Sequence, residues 1–147
     1  MNKLTITVWG NVATDPMHVV GPGGRPRTTF RLASTPRKRQ EDGSYSDGTT
    51  SFFNVTCFGH LAVNVAGSVH KGDPVVLFAD LTIREWQADG GRSGKDADLV
   101  AYHLGPDLRW GRATFERPAR QVRPAADAAV QQQPAPDATG PSVGAAA

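Results

Sequence analysis

Four side chains in this chain are of a type and spacing to do chemistry together: Phe52, Phe58, Trp86 and Arg84. Residues 51–58 alternate with period two. Phe53, Val55 and Cys57 point one way, and Phe52, Asn54, Thr56 and Phe58 the other. The first set is the inward one, so two phenylalanines remain on the solvent side of a strand, which is costly unless something covers them. Trp86 stands near the end of another extended run, with Arg84 two residues before it on the same face. Aromatic rings interleaved with arginine make a platform for unpaired bases. Every base has a π-face, so stacking contributes about 1–3 kcal/mol per base and tolerates any sequence. The rings could instead be core or subunit contacts, but three together with cations alongside favour the platform.

Charge distribution points the same way. The chain has a formal net charge of only +2, yet residues 1–39 hold seven basic residues against Asp15 alone, and the remainder is net acidic. A basic half balanced by an acidic one suggests a single polyanion-binding face, the bland alternative being a solvated surface.

Other chemistries find little support. One cysteine cannot form an intrachain disulfide or by itself a zinc site. Cys57 and His60 lie three apart, but His18, His70 and His103 are scattered, and zinc needs four clustered ligands or three plus water. Cys57 shares a face with Phe53 and Val55, so it reads as a buried, inert thiol. The alternative is a disulfide between copies, which requires the two Cα atoms to lie within ~7 Å. Asp96 and Asp98 sit in a Gly-rich hairpin and read as solvated turn residues. There is no phosphate loop, nucleophile elbow or Ser/His/Asp set, so the chain reads as a non-enzyme without cofactor or metal.

The positioning elements follow from periodicity. Strands are expected over Leu4 to Asn11, Thr28 to Ser34, Ser51 to Phe58, Val75 to Gln87 and Leu99 to Leu104. Leu61, Val65 and Val69 recur every four residues and mark a short amphipathic helix from His60 to Val69, ended by a glycine cap at Gly72 and then Pro74. Pro36 to Thr50 reads as a long mobile hairpin loop, and the stretch around Asp89-Gly90-Gly91 as a second. Leu108 to Phe115 either extends the last strand or packs on a neighbour. Three strands, a helix between strands 3 and 4, then two strands is the order of the five-stranded all-β OB barrel, with long hairpins joining strands 2 and 3 and strands 4 and 5. Residues 1–117 form that domain. Residues 118–147, rich in Ala, Pro, Gln and Gly, read as a disordered tail. No apolar run reaches the ~20 residues of a membrane span, and the N-terminus lacks a signal pattern, so a cytoplasmic, nucleoid-associated protein is expected.

From about Asn2 to Trp110 the chain resembles the bacterial single-stranded DNA-binding proteins. The resemblance rests on Val8-Trp9-Gly10-Asn11-Val12 with Asp15-Pro16, the Gly23-Gly24 turn and Phe30-Arg31-Leu32-Ala33-Ser34-Thr35. It continues through Phe52 to Phe58 with Gly59-His60-Leu61-Ala62, Lys71-Gly72, and Leu81-Thr82-Ile83-Arg84-Glu85-Trp86. It implies an OB-fold homotetramer that binds and protects single-stranded DNA during replication, recombination or repair. The alternative is an OB-fold adaptor subunit of a replication-restart assembly in which DNA contact is secondary. The resemblance assigns base stacking to Phe52, Phe58 and Trp86. It puts Lys3, Arg31, Arg37, Lys38, Arg39, Asn54, His60, Lys71 and Arg84 at or near the DNA path. Trp9 and Trp110 either stack bases or lie in a subunit interface.

Departures bear on that expectation. Asn54 stands where an arginine is frequent, Glu85 where a basic residue is common, Val19-Val20 where an arginine-aromatic pair is usual, and Lys38 where some members stack a tryptophan. The expectation is weaker or more salt-sensitive binding. The sequence ends Gly140-Pro141-Ser142-Val143-Gly144-Ala145-Ala146-Ala147, without the family's acidic tip and terminal phenylalanine. That implies a short-tailed, specialised paralogue, with recruitment of replication and repair proteins by that route in doubt.

Overall fold

The computed structural model describes residues 2–119. Its elements are β1 (Leu4–Val12), β2 (Met17–Val20), β3 (Pro26–Ser34), β4 (Arg37–Arg39), β5 (Tyr45–Asp47), β6 (Ser51–Phe58), α1 (Gly59–Ser68), β7 (Pro74–Ala88) and β8 (Arg92–Pro106). The main sheet runs β1-β7-β8-β6-β3-β2, and β1 also pairs with β3. That last pairing, Asn11 with Ala33 and Val12 with Leu32, closes five strands into a ring. β6 and β8 are parallel; the other pairs are antiparallel. This is the five-stranded OB barrel.

Alternation builds the core. Val8 and Val12 from β1, Phe30 and Leu32 from β3, Val55 and Cys57 from β6, Val75, Leu77 and Ala79 from β7, and Leu99 and Ala101 from β8 all point inward. Ala62 and Val65 of α1, with Val69 just after it, complete the cluster from the helix side. One buried polar group, Thr28, fixes that seat. Its hydroxyl donates to the Ala62 carbonyl at 2.7 Å and lies 2.8 Å from His18 Nδ1. Because the hydroxyl proton is spent on Ala62, His18 must donate, which holds the imidazole with its proton on Nδ1.

Several local expectations change. Met17–Val20 is a four-residue edge strand beside β3, missed because its four side chains are all exposed and carry no alternation. The long polar loop holds a ribbon, β4 with β5, around a turn in which Asp42 Oδ1 accepts from the Ser44 amide (2.9 Å) and hydroxyl (2.6 Å). α1 is capped at its end by Val69 in extended conformation, its amide donating to Val65, and not by glycine. Gly72 instead makes a turn whose amide reaches the Val12 carbonyl at 2.7 Å. Beyond a register shift between Phe78 and Ala79, β7 and β8 stay paired as far as Ala88 and Arg92, so the second hairpin is a long two-stranded arm with a three-residue tip. β8 ends at Pro106, and residues 107–110 form a turn in which the Trp110 amide donates to Asp107 (3.2 Å).

The compact unit ends at Ala113. The expected tail falls almost wholly on residues outside those described. No helix among the described residues is long and apolar enough to cross a membrane.

Cys57 is fully buried on the inward face of β6, and burial pushes its thiol up to about 11. A disulfide to another copy through Cys57 would require the barrel to open. Folded protein is expected to react with a thiol-specific chromogenic reagent at least about 100-fold more slowly than the urea-unfolded chain, because both access and thiolate fraction fall. Fast native labelling would sink this. Linkage sets the sign with pH: the unfolded thiol ionises near 9.0 and the folded one near 11, so this contribution is complete below pH 9 and declines as pH rises from 9 to 11.

Candidate nucleic-acid interface

Register assembles one outward face from four strands. Arg27 of β3 lies opposite Phe58 of β6, Thr29 opposite Thr56, Arg31 opposite Asn54 and Ala33 opposite Phe52. Across the parallel pairing, Asn54 sits beside Asp98 and Thr56 beside Val100. β7 then adds Asp80 opposite Val100, Thr82 opposite Asp98, Arg84 opposite Asp96 and Trp86 opposite Gly94. Strand pairing thus gathers residues separated by dozens of positions in sequence.

Two aromatic rings on this face carry arginines. The Arg25 guanidinium lies 4.4 Å from the Phe58 ring centre, and that of Arg31 lies 4.9 Å from the Phe52 centre. Phe52 is 48% exposed and Trp86 40%, whereas Phe58 is half-buried. Arginine planes themselves stack on bases, and their N–H forks bind phosphate, so each pair offers both surfaces a nucleotide presents. The Trp86 indole lies across Gly94: a Cβ on Gly94 would come within 2.5 Å of it. A side chain at position 94 would push the ring from this place.

Between the rings is a shallow groove lined by Arg27, Asn54, Thr56, Phe58, Arg84 and Asp98, among others. Asn54 Nδ2 donates to Asp98 Oδ1 at 3.0 Å. Arg84 reaches Asp98 Oδ2 from Nε at 3.1 Å and Asp96 Oδ2 from Nη2 at 3.3 Å. Asp96 and Asp98 are therefore strand residues paired on this face, not solvated turn residues as expected. The signal was present: carrying the parity of Val100 back along β8 gives Asp98 and Asp96. Glu85 points to the opposite face of the arm and pairs with Lys95 at 3.1 Å, so its charge does not oppose Trp86.

The other expected residues are more dispersed. Lys3, just before β1, donates to the Tyr102 hydroxyl at 3.5 Å and sits 3.5 Å from Asp80. The Tyr102 hydroxyl in turn bonds the Asp80 carboxylate. That contact with Tyr102, together with Asp80, raises the Lys3 pKa, and the Tyr102 hydroxyl holds Asp80 below the usual carboxylate range. Arg37, Lys38 and Arg39 do not act as one cluster. On β4 they alternate, so Arg37 and Arg39 share a side with Asp47 and Tyr45, and Lys38 faces away with Ser46. Arg37 lies 4.0 Å from Asp47. His60 is exposed in the first turn of α1, and Lys71 is exposed in the turn before β7, at the opposite end of that strand from Trp86. Sequence reasoning missed Arg25, Arg27 and Tyr45. Beginning the second strand one residue earlier would have set Arg27 on the face with Arg31.

The protein-family model described as the single-strand binding protein family matches residues 1–106. A curated protein of Streptomyces coelicolor named single-stranded DNA-binding protein 1 is 41% identical over 121 residues, covering 82% of this chain and 76% of that one. One from Tropheryma whipplei named single-stranded DNA-binding protein 2 is 37% identical over 123 residues, covering 83% and 80%. Among solved structures, the small single-stranded DNA-binding protein from Streptomyces coelicolor superposes with a TM-score of 0.69 at 40% identity, covering 76% of this chain and all of that one. The second such protein of Mycobacterium smegmatis gives 0.60 at 28% identity, covering 79% and 100%. With the closed five-stranded ring and the aromatic, arginine-lined face already in place, these matches settle the kinship: this chain belongs to the single-strand binding protein family.

Proposed function

We propose that this protein binds single-stranded DNA without sequence preference and shields it during replication, recombination or repair. The observation that carries this is the outward row Phe52, Asn54, Thr56, Phe58 on β6, with Arg31 stacked on one ring and Arg25 on the other. Bases stack on Phe52, Phe58 and Trp86; Arg25, Arg27 and Arg31 take phosphates; Tyr45, Arg37 and Arg39 on the β4–β5 ribbon extend the path. The reading contains no chemical step.

Assembly of four copies is part of this reading. The outer side of β1 and β7 supports it: Trp9 pairs in register with Val76 and Thr7 with Phe78, leaving three apolar side chains exposed. Residence on the nucleoid follows from the ligand.

The test is a titration of the full chain with fluorescently labelled oligo-dT at several salt concentrations, with duplex of equal length beside it. Affinity for oligo-dT should fall with salt at a logarithmic slope of about −0.7 per phosphate neutralised, and duplex, whose bases are already stacked, should bind weakly. Equal affinity for duplex and single strand would defeat the reading.

A further inference from the structure

We propose that Asp96 and Asp98 are a built-in competitor of DNA phosphate, occupying the Arg84 guanidinium in the middle of the binding face and lowering both affinity and its salt dependence. This rests on the reading of that face as a single-strand platform.

The geometry singles out these two carboxylates. Asp98 is held from both sides, by Asn54 at 3.0 Å on one oxygen and by Arg84 at 3.1 Å on the other, while Asp96 takes a second guanidinium nitrogen at 3.3 Å. Together they fill the same N–H fork that a phosphate would bind. The trio carries a net charge of −1 where the platform needs cations. Among the described ion pairs none involves Arg25, Arg27 or Arg31, on the β3 side of the same face. The face is thus divided: cationic along β3, acidic across β8. Such a division steers the sugar-phosphate chain along β3 and turns the bases toward β6, β8 and Trp86. The Arg84 side chain is 60% exposed and the two carboxylates 38% and 32%. Ion pairs this open to water contribute little to stability, so Arg84 can exchange partners readily.

Asparagine at both positions keeps the shape and leaves Asn54 an acceptor, but releases Arg84. The experiment measures labelled oligo-dT binding by the full chain at two salt concentrations. The proteins are the unaltered chain, D96N/D98N, R84Q and the triple variant, with D98N alone as a milder change. D96N/D98N is expected to bind at least about threefold more tightly in a way that depends on Arg84, a coupling typical of residues in direct contact. Its logarithmic salt slope should steepen by about 0.7, the increment for one added phosphate contact. D98N should shift in the same direction by less, and the gain should vanish in the triple variant. A mere increase in positive charge would persist without Arg84, so equal gains in both backgrounds overturn the proposal. So does D96N/D98N binding no more tightly than the unaltered chain. If the unaltered chain fails to bind oligo-dT at all, the platform reading falls first and this proposal with it.

Discussion

Phe52→Ala combined with Trp86→Ala is expected to weaken oligo-dT binding at moderate salt by about 30-fold or more while leaving the melting temperature nearly unchanged. Each stacked base contributes about 1–3 kcal/mol, and two lost together come to roughly 2–6 kcal/mol, with tenfold in affinity for every 1.4. The two rings suit the test because both are exposed, at 48% and 40%, so their removal opens no cavity in the core. Phe58 is a poorer choice: it is half-buried and lies against Arg25 at 4.4 Å, so a loss there would mix binding with packing. Since Trp86 is itself a fluorophore, binding should be read by anisotropy of a labelled oligonucleotide. Unchanged affinity in the double variant would remove the platform as the source of binding. A large drop in melting temperature would mean that the rings support the fold.

How much of this was legible in the sequence depends on what each part answers to. Period-two alternation exposed the inward set on β6, because Val55 and Cys57 must be buried whatever their partners do. It therefore also exposed the outward set, Phe52 to Phe58. The helix was legible for the same reason: Leu61, Val65 and Val69 recur every four residues because they pack on the barrel. Elements without a burial pattern were not legible. β2 has four exposed side chains, and the β4–β5 ribbon has only Ser46 among its six residues less than exposed, so neither leaves a periodic trace.

The face itself was half legible. Which residues point outward is a local matter of parity. Which of them meet is a matter of register, and register between β6 and β8 joins residues more than forty apart through a parallel pairing that no turn dictates. That is why Asn54 could be placed by sequence and Asp98 could not be placed beside it. The basic run Arg37-Lys38-Arg39 shows the reverse error. Adjacency in sequence suggested one cationic patch, whereas strand geometry sends Lys38 to the other side.

Gly10→Ala should be among the most damaging single-methyl additions in the barrel, costing about 2–3 kcal/mol and lowering the melting temperature by roughly 10 °C. A Cβ at Gly10 would stand 2.3 Å from the Ala33 carbonyl oxygen, 3.0 Å from its carbon and 3.2 Å from Ser34 Cα. All three atoms are backbone, so no rotamer can yield. The contact lies where β1 meets β3 to close the ring, next to the Asn11–Ala33 pair and the 2.9 Å bond from the Ser34 hydroxyl to the Trp9 carbonyl. Gly67→Ala supplies the control of opposite sign. Gly67 is within α1, and a Cβ there meets nothing within 4 Å. Its replacement should stabilise by about 0.5–1 kcal/mol through helix propensity and a less flexible unfolded chain. Both variants are to be melted at one protein concentration, because the stability of any chain that self-associates depends on concentration. Gly10→Ala melting at or above the unaltered protein would mean that the strands are not in close contact there. The damage should also reach the binding face. Ala33 pairs with Phe52, so displacing the Ala33 backbone to admit a methyl group moves the strand segment beside the Phe52 ring. Gly10→Ala should therefore lose oligo-dT affinity at temperatures well below its melting point, linking closure of the barrel to the placement of the ring outside it.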